Sequence, residues 1–176
     1  MEELTNQNGR GSAKSGQDVV ISVRNLKTHF FTDDGIVKAV DGVDLEIERG
    51  KVLGVVGESG CGKSITALSV LRLIPRRGRI VEGEILYYPH GSDAVDLAAF
   101  KEDSREITRI RGNEIAMVFQ EPMTSLTPVY TIGHQIVEAI MLHQDVSRKV
   151  ARERAIEMIH QVGIPDPRQR VDEYPF

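Results

Sequence analysis

The chain has one cysteine, no tryptophan and only 5% aromatic residues among its 176. A single cysteine excludes an internal disulfide, so the fold does not depend on an oxidising compartment. It also leaves a structural zinc site without its usual ligands, and the five histidines have no H-E-x-x-H spacing to replace them. No uncharged apolar run approaches the ~18 residues of a membrane-spanning helix. The N-terminus carries neither a basic n-region nor an apolar h-region, so no secretory signal is expected. Basic residues are not in excess: 22 Lys and Arg face 26 Asp and Glu, for a net charge of -4. That balance argues against a broad nucleic-acid surface, and the short run Arg76-Arg77-Gly78-Arg79 reads as a solvated face or as favourable charge at a helix end. Composition alone therefore leads to the expectation of one soluble, cytoplasmic domain.

What is present is patterned. Residues 1–18 are rich in Gly, Ser, Asn and Gln with almost no apolar content, and read as a disordered tail that cannot offset its ordering entropy. From Val19 to Phe31 β-branched residues partly alternate, and Thr32-Asp33-Asp34-Gly35 follows as a turn. Ile36–Val40 reads as the returning strand and Val43–Ile47 as a half-buried strand. Val52–Val56 is a short continuous apolar run, the pattern of a strand buried on both faces. A helix is expected over Lys63–Ile74, with Ala67, Leu68, Leu71 and Ile74 on one face, ended by Pro75 through Gly78. Glu84–Tyr88 and Glu114–Phe119 look like further strands, with a short helix around Asp103–Ile110 between them. Two helices close the chain. Thr131 caps one, with Ile132, Ile136, Val137, Ile140 and Met141 as its apolar stripe; Ser147 caps the other, with Ala151, Ala155, Met158, Ile159 and Val162.

One motif carries chemistry. Gly57-Glu58-Ser59-Gly60-Cys61-Gly62-Lys63-Ser64 fits G-x-x-x-x-G-K-[ST]. Glycines let the backbone turn sharply and approach a phosphate closely, and the following helix turns its positive dipole end toward the anion. On this reading Gly57, Ser59, Gly60, Cys61, Gly62, Lys63, Ser64 and Ile65 hold the nucleotide. Lys63 lies against the β- and γ-phosphates and Ser64 ligates Mg²⁺. The plainer alternative is a flexible glycine turn, but an apolar strand before the loop and an amphipathic helix after it are the setting the motif requires. Cys61 reads chiefly as a small residue between two glycines, and alternatively as a thiol activated by the cation and helix end beside it.

Around this loop the chain resembles a family. The run Met117-Val118-Phe119-Gln120-Glu121-Pro122-Met123-Thr124-Ser125-Leu126-Thr127-Pro128 is similar to the Q-loop region of ABC transporter ATPases, and most of all to their oligopeptide and dipeptide importer subgroup. So are Val37-Lys38-Ala39-Val40-Asp41-Gly42-Val43 and Arg111-Gly112-Asn113-Glu114-Ile115-Ala116, and the resemblance extends over about residues 20–176. It implies that Phe30 stacks on adenine, with Phe31 as the runner-up and a hairpin-core phenylalanine as the structural alternative. It implies that Gln120 approaches Mg²⁺ and the attacking water, with Lys63 as the other catalytic residue. The cofactors implied are ATP and Mg²⁺. The implied partners are ABC permease subunits, a second ATPase subunit in a homo- or heterodimer and, indirectly, a solute-binding protein, but no nucleic acid. The implied place is peripheral, on the cytoplasmic face of the plasma membrane.

The fold so implied is α/β: a P-loop NTPase core of ABC type with an antiparallel β subdomain and the start of a helical subdomain. The division expected is β subdomain and core over 19–120 and helical subdomain over 121–176, with a sheet that stays incomplete. No LSGGQ-like signature occurs, and Asp172-Glu173 is rejected as a Walker B pair because Gln169-Arg170-Val171 before it is no apolar strand. The subgroup's signature begins soon after a Tyr-Pro pair such as Tyr174-Pro175, so the chain is expected to be the N-terminal part of a longer ATPase that does not hydrolyse ATP alone. The activity implied for the whole is ATP-powered import of peptides. The alternatives are another ABC ATPase (nickel, sugar or non-transport) and a nucleotide-binding fragment without turnover.

Overall fold

β-branched and aromatic residues dominate the first organised stretch, and they form a long hairpin. In the computed structural model, which describes residues 19–90, 93–120 and 125–176, β1 (Val19–Thr32) and β2 (Gly35–Glu48) pair antiparallel from Val19↔Glu48 to Thr32↔Gly35. The tail expected over residues 1–18 and the stretch 121–124 of the Q-loop motif lie outside the described residues. Gly35 takes a left-handed φ of 131° at the turn, where Thr32 Oγ1 donates to its carbonyl at 2.8 Å. The expected strands Ile36–Val40 and Val43–Ile47 merge into β2, because Asp41 pairs in register with Lys27 and an irregularity in the ladder absorbs Gly42 without ending it.

The other edge of β1 pairs antiparallel with β3 (Gly78–Tyr87), which pairs with the short β4 (Val95–Asp96), giving the order β2-β1-β3-β4. The Arg79 guanidinium of the basic run lies 4.1 Å from the Phe31 ring centroid, and Arg77 pairs with Asp33, so both serve the hairpin. Val23, Leu26, Ile85 and Leu97 are buried on this sheet, each worth about 1.5–3 kcal/mol of apolar transfer. The helix α1 (Lys63–Val70) follows the glycine loop, and Leu71 and Ile74 beyond it are buried. It is shorter than expected, because Arg72 enters the left-handed region at φ 55° and ends it before Ile74. Ser69 rather than Ala67 is its buried residue.

The apolar run Val52–Val56 departs from expectation. It forms no ladder with any described strand, and Val52 and Val56 are 98% and 92% exposed. A buried parallel strand needs neighbours on both edges and cover on both faces, and the described residues supply neither. Glu114–Phe119 departs in the same way: among the described residues its one strand pairing is the isolated parallel bridge Arg111↔Ile115, with Val118 exposed.

The contacts divide the chain between Thr108 and Arg109 into two compact units. Near the division lies α2 (Arg105–Ile110). The second unit contains α3 (Ile132–His143), α4 (Arg148–Gln161) and the single turn α5 (Pro167–Arg170). Both expected caps form: Thr131 Oγ1 accepts from the His134 amide and Ser147 Oγ from the Val150 amide. The core gathers Val137, Ile140, Ala151, Ala155, Ile156, Ile159 and Val171. Met141, Met158 and Val162 of the expected stripes are exposed, while Ile156 lies inside. At Gly133 the backbones nearly touch: its amide donates to the Val171 carbonyl at 2.7 Å, and a Cβ there would meet Val171 Cγ2.

Candidate functional site

The glycine loop is exposed and tightly wound. Cys61 N–H donates to the Glu58 carbonyl at 3.4 Å, and Gly60 and Gly62 take left-handed φ values of 82° and 96°. Gly62 is the N-cap of α1 and offers no side chain to the first turn, which also holds no acidic residue. The N–H groups opening α1 therefore face outward with the positive end of the helix behind them. β2 backs the loop closely, for a Cβ on Gly62 would collide with the Ala39 carbonyl oxygen and lie 3.6 Å from Val40 Cγ2.

Lys63 reaches back across the loop. Its Nζ donates to the carbonyls of Gly57 and Glu58 at 2.7 Å each and lies 3.5 Å from Cys61 Sγ. The ammonium is held by neutral carbonyls, and among the described residues no carboxylate pairs with it at the loop mouth. Ser64 follows on α1 with its side chain exposed, and Ile65 is half-buried beneath it. Uncapped amides, a lysine held only by carbonyls among the described residues and an exposed hydroxyl together fit a phosphate chain with its cation.

Phe30 and Phe31 stand on opposite faces of β1. Phe30 shares its face with Thr28, and a Cβ on Gly78 would lie 2.7 Å from its ring and 2.5 Å from Ile74 Cγ2, so ring, glycine and isoleucine meet. Phe31 lies under Arg79 on the other side. On that outer side Lys27 donates to Glu82 at 2.7 Å. This bond raises the lysine pKa and, with Asn25, holds the Glu82 carboxyl below its ordinary range. Asp41 is likewise held low, by Lys38 first and then by His29.

Gln120 belongs to the second unit and is exposed at the end of an extended segment. Asp172 and Glu173, the pair rejected as Walker B, are engaged in ion pairs with Arg152 and Arg170. Among the described residues no group of three or more His, Cys, Asp or Glu side chains gathers to hold a metal by itself. Sequence reasoning missed Thr28, Ser69 and Ala39, which hold the loop helix against the sheet. A buried Thr or Ser inside an apolar pattern is the signal that would have found the first two.

A family model described as ABC transporter matches residues 40–175. The chain belongs to the ABC transporter family. Among curated relatives of this family it is 46% identical over 159 residues to the probable peptide ABC transporter ATP-binding protein y4tR of Sinorhizobium fredii, covering 90% of this chain and 45% of that protein. It is 45% identical to the oligopeptide transport ATP-binding protein AppD of Bacillus subtilis and 41% to the dipeptide transport ATP-binding protein DppD of Escherichia coli, covering 89% of this chain and 46% of either. The chain thus spans somewhat under half the length of these relatives. The dimeric structure of MJ0796, a bacterial ABC transporter cassette, superposes with a TM-score of 0.69 at 24% identity, over 88% of this chain and 61% of that one. That likeness shows the fold: an incomplete α/β cassette of ABC type. Among the described residues no helix is long and apolar enough to cross a membrane.

Proposed function

We propose that this chain is the phosphate-gripping part of an ATP-binding subunit that powers peptide import through a membrane ABC transporter. The observation that carries the reading is the exposed loop, with left-handed Gly62 opening an uncapped α1 and Lys63 crossing its mouth. The amides from Gly57 through Ile65, with those of Ser59, Gly60, Cys61 and Gly62 between, bind the phosphate oxygens. The Lys63 ammonium leaves its two carbonyls for the β- and γ-phosphates, exchanging neutral acceptors for anionic ones and gaining strength by the exchange. By the family resemblance alone, Ser64 Oγ and the Gln120 side-chain oxygen would be the chain's ligands to Mg²⁺, and Gln120 would orient water. Phe30 offers a ring face to adenine. Bound Mg-ATP supplies the phosphoryl group whose transfer to water releases free energy.

The names of the relatives support peptides as the cargo class. The partners proposed are permease subunits, a second ATPase subunit and, through the permease, a solute-binding protein, with this subunit peripheral on the cytoplasmic face. The proposed division places the β subdomain and core in 19–120 and the start of the helical subdomain in 121–176.

Titration with a fluorescent ATP analogue tests the loop: Lys63→Ala weakens binding at least about tenfold, the scale of one lost charge-assisted bond. Equal affinity in both proteins removes the loop from the mechanism. ATP-dependent uptake of a labelled dipeptide into vesicles carrying the whole transporter tests the cargo, and uptake of nickel or sugar in its place favours the alternative ABC readings.

A further inference from the structure

Two hydroxyls face each other between β1 and α1. Thr28 and Ser69 are both 0% exposed, and their oxygens lie 2.9 Å apart. The direction of the bond follows from proton counting. Ser69 Oγ places its one hydrogen on the Ile65 carbonyl at 2.6 Å, so it accepts from Thr28, whose hydroxyl is the donor. An apolar contact here would bury as much surface, but it would not fix the rotation and height of α1 on the sheet, whereas a directional bond between satisfied buried groups does both.

Both ends of this bond lead to the nucleotide site. Through Ser69 and the Ile65 carbonyl it reaches the first turn of α1, which opens at Lys63. Through Thr28 it reaches Phe30, two residues on and on the same face of β1, about 7 Å along the strand. The ring of Phe30 is seated on Gly78 and Ile74, the chain that returns from α1. We propose that Thr28 and Ser69 are positioning residues for nucleotide recognition: their buried bond sets the distance and angle between the aromatic face of Phe30 and the phosphate loop, so that base and phosphates are gripped together. The inference rests on the reading of Phe30 as the adenine platform.

The test compares equilibrium binding of ATP and of inorganic tripolyphosphate, each with Mg²⁺, to the full chain and its variants. Tripolyphosphate uses the loop but not the platform, so the ratio of the two affinities reports their alignment. Thr28→Val is the cleaner variant, because it keeps the shape and leaves Ser69 its carbonyl partner. It is expected to lower the preference for ATP about three- to fivefold, within the range of one hydrogen bond, and to leave tripolyphosphate affinity unchanged. Thr28→Ser, which retains the donor, restores the preference. Phe30→Ala lowers it about tenfold, as for loss of one base-aromatic stack. Loss of preference in Phe30→Ala but not in Thr28→Val overturns the positioning role and leaves the platform standing. An unchanged preference in Phe30→Ala overturns the platform itself, and the role built on it. A Thr28→Val protein that melts lower and binds both ligands equally more weakly has lost only stability, which also overturns the proposal.

Discussion

Arg152 of α4 holds Asp172 through two parallel hydrogen bonds of 2.8 and 2.7 Å. This fork fastens the segment after α5 to the helix pair, where Val171 is buried beside it. The bonds from Arg152 keep the Asp172 carboxyl below its ordinary value. A carboxylate whose folded pKa is depressed adds stability above its unfolded pKa and loses that stability as pH falls through the folded one. Arg152→Met is therefore expected to lower the urea midpoint at pH 7, and the gap from the parent should close as pH drops below about 3.9, the unfolded aspartate value. Urea titrations at pH 7 and at pH 2.5 check this; a gap of the same size at both means the guanidinium acts by packing alone.

Gly62 tolerates no side chain on two independent grounds, its φ of 96° and the Ala39 carbonyl oxygen where a Cβ would stand. Gly62→Ala should push the loop off β2, with about 1–3 kcal/mol of backbone strain. Mg-ATP affinity is expected to fall at least about tenfold, as measured by calorimetry. Gly60→Ala also has a left-handed φ but meets nothing within 4 Å, so its loss should be smaller. Equal losses would show that β2 does not brace the loop.

The Gln135 side chain staples the turn before α3. Its oxygen accepts from the Thr127 amide at 2.8 Å, while its nitrogen donates to the carbonyls of Thr127 and Tyr130 at 2.9 and 3.0 Å. Gln135→Glu keeps the acceptor and sets a carboxylate oxygen against two carbonyls, so it should disturb the turn more than Gln135→Met does. Hydrogen exchange at the Thr127 amide is the readout, with an acceleration of about tenfold expected for Gln135→Glu.

At Gly133 a methyl group would lie against Val171 Cγ2 and 2.5 Å from the Val171 carbonyl oxygen. Gly133→Ala should force α3 away from the closing segment and cost about 1–3 kcal/mol, even though alanine favours helix. Thermal unfolding followed by circular dichroism measures the balance, and a higher midpoint would mean that the segment yields freely.

Local signals were read well wherever the partner is near in sequence. Thr131 and Ser147 cap helices whose orphan amides lie three residues on, and the 32–35 turn joins two strands that pair with each other. The tight winding of the glycine loop was legible because its glycines and lysine act within eight residues. Failures came where burial depends on distant chain. Val52–Val56 carries the composition of a central strand, yet a periodicity rule states only that such a run is suited to burial, not what will bury it. Met141 and Met158 failed similarly, because the stripe of a helix is wider than the contact its neighbour makes. The Gln135 staple gave no sequence signal, and Thr28 and Ser69 gave only their places in apolar patterns, since a polar side chain does not announce which backbone or hydroxyl it will find.

Cys61 is the sole thiol in 176 residues, and it stands exposed in the loop that opens α1, within 3.5 Å of Lys63 Nζ. A maleimide dye added to this chain accordingly has one address. Its emission and its rate of attachment would both report events at that loop, without any residue having to be engineered in or removed.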